Sequence, residues 1–134
     1  MAANKILRFG PVALTTTTTT NILNPPTLTG GTGLAGTNAN TYLIIRHIRV
    51  VNKTTSPAQA ALWIGATGGN AAGTEAILGG IASAGSLTDG VSIAAQSYVD
   101  WYGMLRMDVA DFLVGGAGTA TALTIEGEGE IGIA

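Results

Sequence analysis

The 134-residue chain contains no cysteine and a single histidine. That excludes disulfides, thiolate metal sites and cysteine nucleophiles. Charge is scarce as well. Asp, Glu, Lys and Arg make up 10% of the residues, against roughly 25% in an ordinary soluble domain. So few charges leave uncharged surface that copies of the chain, or a partner, are expected to cover. The net charge of −2 argues against nucleic acid, whose binders carry a basic patch. No run approaches the roughly 20 apolar residues of a membrane span, and no long apolar run follows Lys5 or Arg8, so Met1 to Gly10 lacks the layout of a secretory signal.

What the chain has in quantity is glycine, 20 residues, recurring between short apolar runs rich in Val, Ile and Thr. This is the punctuation of short strands and tight turns, because β-branched side chains fit a pleated surface. The length predicts one domain with one core.

Residues 4–14 (NKILRFGPVAL) read as an N-terminal arm broken at Gly10-Pro11. Thr15 to Thr20 continue it as six strand-forming threonines, until Asn24-Pro25-Pro26 stops the run. Residues 29–40 form a long Gly/Thr/Asn loop. The expected division is an extended arm and loop over 1–39 and a β-sandwich domain over 40–134.

The clearest strand is 41–52, TYLIIRHIRVVN. Regular alternation puts Tyr42, Ile44, Ile48 and Val50 on one face and Leu43, Ile45 and Val51 on the other. With both faces largely apolar, the strand is expected at the centre of a sheet covered on two sides. Lys53 to Pro57 is a polar turn, and 58–65 (AQAALWIG) is the next strand, with Leu62 and Ile64 opposite Trp63. Residues 74–82 (TEAILGGIA) fit a short helical turn or an irregular strand. Asp89-Gly90 marks a turn before a strand over 91–102, with Tyr98, Asp100 and Tyr102 opposite Val99 and Trp101. Asp108 to Asp111 looks like a turn ahead of Phe112-Leu113-Val114. The closing segment, 119–133, alternates strictly: Leu123, Ile125, Ile131 and Ile133 on one face, Thr124, Glu126, Glu128 and Glu130 on the other. Three like charges at alternate positions repel modestly, by up to about 1 kcal/mol, which raises the question of what they face. The sum is an all-β fold of about seven to eight short strands, a β-sandwich or jelly-roll-like barrel.

No catalytic constellation assembles. His47 sits inside the most apolar strand, and none of Ser83, Ser86, Ser92 or Ser97 stands in a nucleophile motif. It reads as a strand histidine satisfied by a neighbour or an interface. Alternate carboxylates on one strand lie about 7 Å apart, and no Asp-x-Asp-x-Asp-Gly loop accompanies Glu126, Glu128 and Glu130. They read as a solvated or partner-facing strand, so neither a metal nor a cofactor is expected. Gly30-Gly31-Thr32-Gly33 lacks the Lys-Ser/Thr of a phosphate loop. The aromatics Trp63, Tyr98, Trp101 and Tyr102 offer either a sugar-stacking platform or interface packing, and Trp63 and Trp101 are taken as interface anchors. Ile6, Leu7 and Phe9 along the arm, and Thr15, Thr17 and Thr19 in the threonine run, complete the candidate contacts.

The order of TYLIIRHIRVVNKT, AALWIG, SYVDWYG, LRMDVADFL and TATALTIEGEGEIGI, covering about residues 40–134, resembles small β-sandwich virion proteins of tailed bacteriophages, including capsid decoration (cement) proteins. The resemblance implies a non-enzymatic protein, assembled in the host cytoplasm and present in many copies on the virion. Its implied partners are the major capsid protein or another virion protein and further copies of itself, with a trimer favoured. A tail, neck or baseplate protein, and a carbohydrate- or receptor-binding β module, are the competing readings.

Overall fold

The structure, a computed structural model, describes residues 5–16, 21–23, 41–65, 75–78, 90–108 and 111–133. Among them lie nine strands: β1 (Lys5–Ala13), β2 (Asn21–Leu23), β3 (Thr41–Asn52), β4 (Ala58–Gly65), β5 (Glu75–Leu78), β6 (Val91–Ile93), β7 (Ser97–Met107), β8 (Phe112–Ala117) and β9 (Leu123–Ile133). They form two antiparallel sheets. The front sheet runs β1-β9-β3-β7, and the back sheet runs β2-β8-β4-β5, with β6 also paired to β4. One core fills the space between them. Leu7, Phe9, Leu43, Ile45, Ile48, Val50, Leu123 and Ile125 come from the front, and Ala60, Leu62, Ile64, Leu113 and Ala117 from the back. The chain is an all-β protein, consistent with a β-sandwich.

The closing strand alternates as its sequence dictates: Leu123, Ile125 and Ile131 are buried while Glu128 is exposed. Gly127 also faces inward, and a methyl there would collide with the Phe9 ring. The glycine is therefore the hole into which β1 sets its largest side chain. β3 departs from regular alternation. Arg46 is an extra residue between Ile45 and His47, which pair with the consecutive Gly129 and Glu128 of β9. On β7 the same interval spans Leu105 to Tyr102. This bulge reverses the phase of the strand, so Leu43, Ile45, Ile48 and Val50 share the buried face. The expected grouping of Ile48 and Val50 with Tyr42 and Ile44 is corrected accordingly. β3 is central in its sheet, but its other face carries Tyr42, Arg46, His47 and Arg49 and is only partly covered.

Two further expectations change. Residues 5–13 are not a detached arm. They form a sheet strand whose Leu7 and Phe9 are fully buried, because Ile6-Leu7-Arg8-Phe9 alternates like any half-buried strand. The sandwich thus includes residues assigned to the arm. A bulge between Phe9 and Val12 accommodates Gly10-Pro11; Gly10 has φ of +80°, where a side chain would be strained. The chain then crosses to the back sheet, where the Ala117 amide donates to the Thr15 carbonyl (2.8 Å). The strand expected over 91–102 is two strands. A turn at Ala95-Gln96, with Gln96 at φ of 53°, sends β6 to the back sheet and β7 to the front. Within the ambiguous segment 74–82, Glu75–Leu78 is a strand; the rest of that segment and the loop expected over 29–40 lie outside the described residues.

The back sheet is covered on both faces. Ala61, Trp63, Val114 and Gly116 alternate with the core residues of β4 and β8 and are buried nonetheless. Asn52 is the one buried polar side chain among the described residues, and it is saturated. Its amide donates to the carbonyls of Ser56 (2.9 Å) and Ile93 (3.0 Å), and its oxygen accepts from the amide (2.9 Å) and hydroxyl (2.7 Å) of Thr54. This ties the β3–β4 turn to β6.

Candidate functional site

The outer face of the front sheet collects the chemistry of the molecule. All four arginines, Arg8, Arg46, Arg49 and Arg106, stand on it with the only histidine. Each strand contributes a column. β1 gives Ile6 and Arg8, β9 gives Glu126, Glu128 and Glu130, β3 gives Arg46, His47 and Arg49, and β7 gives Tyr98, Asp100 and Tyr102. Sign therefore alternates across β1, β9 and β3, which is the favourable cross-strand arrangement, and β7 sets Asp100 against Arg49 while also carrying Arg106. This is what the three glutamates face: neighbours of opposite charge in their own sheet.

Asp100 is the hub. Its Oδ1 accepts from Arg49 Nε (2.7 Å) and from His47 Nε2 (2.9 Å), and its Oδ2 accepts from Arg49 Nη2 (3.0 Å). The forked Arg49 contact is bidentate, the stronger geometry for such a pair. An ionised carboxylate only accepts, so His47 carries its proton on Nε2. The hydrogen bonds from Arg49 and then His47 hold the Asp100 carboxyl down to about 2, and the same contact raises the Arg49 guanidinium above its usual range. On the other side of the ring, Glu128 Oε1 lies 3.4 Å from His47 Nδ1. Both ring nitrogens thus face carboxylates, and the ring stacks on Tyr102 (4.6 Å between centroids, 15° between planes). His47 is held as a strut, and this arrangement aims neither nitrogen at a hydroxyl nucleophile. Arg46 pairs with Glu130. Arg49 lies over the Tyr98 ring at 4.2 Å and Arg106 over Tyr42 at 4.6 Å, both within cation–π range.

Two charged groups on this face, Arg8 and Glu126, carry no ion pair among the described residues; they line an open depression with His47, Arg49 and Glu128. A second depression runs between Ile6, Tyr102 and the Arg46–Glu130 pair. Among the described residues no three side chains converge to hold a metal ion.

Of the candidate contacts read from the sequence, Glu126, Glu128 and Glu130 meet on this face, and Ile6 stands at its β1 edge, 90% exposed. Leu7 and Phe9 belong to the core and are not available to a partner, since they point inward from the same strand that points Ile6 outward. Trp63 is likewise withdrawn. It is 2% exposed beside Ala61, so it presents no face to a sugar or a subunit. Trp101 packs partly buried against the core. Thr15 is exposed at the crossover, while Thr17 and Thr19 lie outside the described residues. Sequence reasoning missed the Arg49–Asp100–His47 hub and Met104, 70% exposed on β7. The charges of TYLIIRHIRVVN were the available signal, since Arg49 belongs with a carboxylate across the sheet, but the bulge hid which residue it pairs with. No protein-family model matches the chain, and no curated protein is similar to it at a significant level.

Proposed function

We propose that the chain is a non-enzymatic structural subunit of a virus particle, a decoration protein that binds the shell of a tailed phage in many copies. The observation that carries this reading is how the charge is used. Every arginine is spent on one sheet face, mostly in pairs within the chain, and the exposed large apolar residues Ile6, Tyr98, Tyr102 and Met104 stand on β1 and β7, the two edge strands of that sheet. Such a surface offers little to a small substrate and much to a neighbouring protein. The order of segments that resembles small virion β-sandwiches agrees with it. Many weak contacts repeated over a shell add through avidity, so no single strong site is required. The partners are then the major capsid protein and further copies of the chain.

The test is the copy number per purified particle of the virus that encodes the chain, measured by quantitative staining against the major shell protein. A number near shell stoichiometry supports decoration. A few copies to a few dozen moves the chain to the neck, tail or baseplate, and absence from the particle overturns the virion reading.

A further inference from the structure

We propose that the two edges of the front sheet, which pair with no further strand among the described residues, bind each other between copies: β7 of one chain abuts β1 of the next, head to tail, in a closed ring of three or more. This rests on the reading of the chain as a self-associating subunit and adds which edges and which residues meet.

The first argument is where the apolar side chains stand. Ile6 is 90% exposed on β1, while Tyr102 (71%), Met104 (70%) and Tyr98 (56%) are exposed on β7. The exposed large apolar side chains stand only on the two edge strands, beside Arg8 on β1 and Asp100 and Arg106 on β7, while the two middle strands carry Glu126, Glu128, Glu130, Arg46, His47 and Arg49. Interface cores are apolar and their rims polar, and covering ion-paired charges carries a desolvation cost. A face-to-face dimer would bury the charged middle and leave the apolar margins at its rim. An edge-to-edge contact does the reverse.

The second argument is direction and sign. β1 is antiparallel to β9, β9 to β3, and β3 to β7, so β7 and β1 run antiparallel to each other. Rotation about an axis along the strands therefore makes them ordinary antiparallel neighbours. Pairing β1 with its own copy would set Arg8 against a second basic column. Pairing it with β7 sets Arg8 level with Tyr102, and Asp100 is the nearest charge of β7 on one side of that level.

The third argument is level. Arg8, Glu128, His47 and Tyr102 share one level across the four strands, and Ile6, Glu130, Ile44 and Arg106 share another. Carried on to the next copy, these levels bring its Arg8 to Tyr102, a cation–π match, and its Ile6 to the level of Arg106, with Met104 in the bulge between the two levels. At a further level, Ala13 of the next copy meets Tyr98. Arg8, which has no ion pair among the described residues, thereby acquires a partner.

Pro11 and the bulge around Gly103 and Met104 interrupt both edges. The strands therefore meet through side chains and do not zip into one continuous ladder, which guards against unlimited sheet growth. A contact between two different patches closes into a ring when its rotation allows.

The experiment uses the full chain, whose lack of cysteine makes single cysteines clean reporters. Mixing Ile6→Cys with Met104→Cys chains under mild oxidation is expected to give the mixed disulfide pair in excess of either like-with-like pair. Like pairs in equal or greater yield overturn the proposal, as does the absence of cross-links. By sedimentation, the chain is expected at three or more times its 13.4 kDa mass. Ile6→Asp is expected to return it to the single-chain mass with an unchanged far-ultraviolet circular dichroism spectrum and a melting temperature lowered by the loss of association. A native chain that sediments as a monomer or dimer also overturns the ring. Neither failure alters the copy number on particles, so this inference and the virion reading fail separately.

Discussion

The two sheets of this sandwich share a core but differ on their outer faces. The front sheet wears its arginines and glutamates outward, paired across strands, with exposed aromatics at one edge. The back sheet has Ala61, Trp63, Val114 and Gly116 in the equivalent positions, all buried. The outer face of one is therefore available for binding, while that of the other contributes to stability. The same kind of substitution should have opposite consequences on the two faces, and the expected effects run from largest to smallest accordingly.

Deleting residues 1–13 removes β1, uncovers β9 and empties the sites of Leu7 and Phe9. The expected outcome is loss of the cooperative thermal transition, measured by calorimetry. An unaltered melt would return this segment to the status of a detachable arm. Trp63→Ala, on the covered face, is expected to cost about 3–5 kcal/mol in denaturant titration, the range for large-to-small aromatic changes in a core. A loss below about 1 kcal/mol would erase the distinction between the two outer faces. Asn52→Ala strands the buried Ile93 carbonyl, while the exposed Ser56 carbonyl keeps the Thr54 hydroxyl (2.9 Å); an unmet buried group costs about 1–3 kcal/mol, and a drop in that range is expected.

On the charged face the expected effects shrink and become pH-dependent. Asp100 ionises near 2 in the folded chain against an ordinary 3.8. A lowered pKa means the contribution of its hydrogen bonds is complete above about pH 4 and is lost as the pH falls toward 2. Asp100→Asn should lower stability at neutral pH and flatten that acid limb, seen as a smaller difference from the parent chain at pH 2 than at pH 7. Equal differences at both would remove Asp100 from the acid response. Smallest of all, Tyr102→Ala, at an exposed edge, should change the unfolding free energy of the single chain by no more than about 0.5 kcal/mol while weakening self-association.

Legibility in the sequence followed the same contrast. TIEGEGEIGI displays its two faces because nothing interrupts its period of two. The glycines at 127 and 129 add that a neighbour lies across the inner face, and Phe9 is that neighbour at 127. The turn at Asp108 to Asp111 was readable too, and it is closed by the Asp111 amide on the Asp108 carbonyl (3.0 Å). TYLIIRHIRVVN misleads by its continuous apolar run, which reads as burial on two faces. The chain reserves two-sided burial for AALWIG and FLVGGA, which carry no charge at all. Leu7 and Phe9 were legible as an alternating pair, but the Gly10-Pro11 break made the segment resemble an arm.

The sequence by itself determined the all-β class, the short strands and the faces of those that alternate without interruption, because a period of two is a local property of the pleat. Only the tertiary structure decided where Arg46 bulges, which carboxylate Arg49 and His47 share, and that Trp63 is buried while Tyr102 is exposed. Those depend on which strands become neighbours and in what register, and a single added residue in one strand reverses every side chain beyond it.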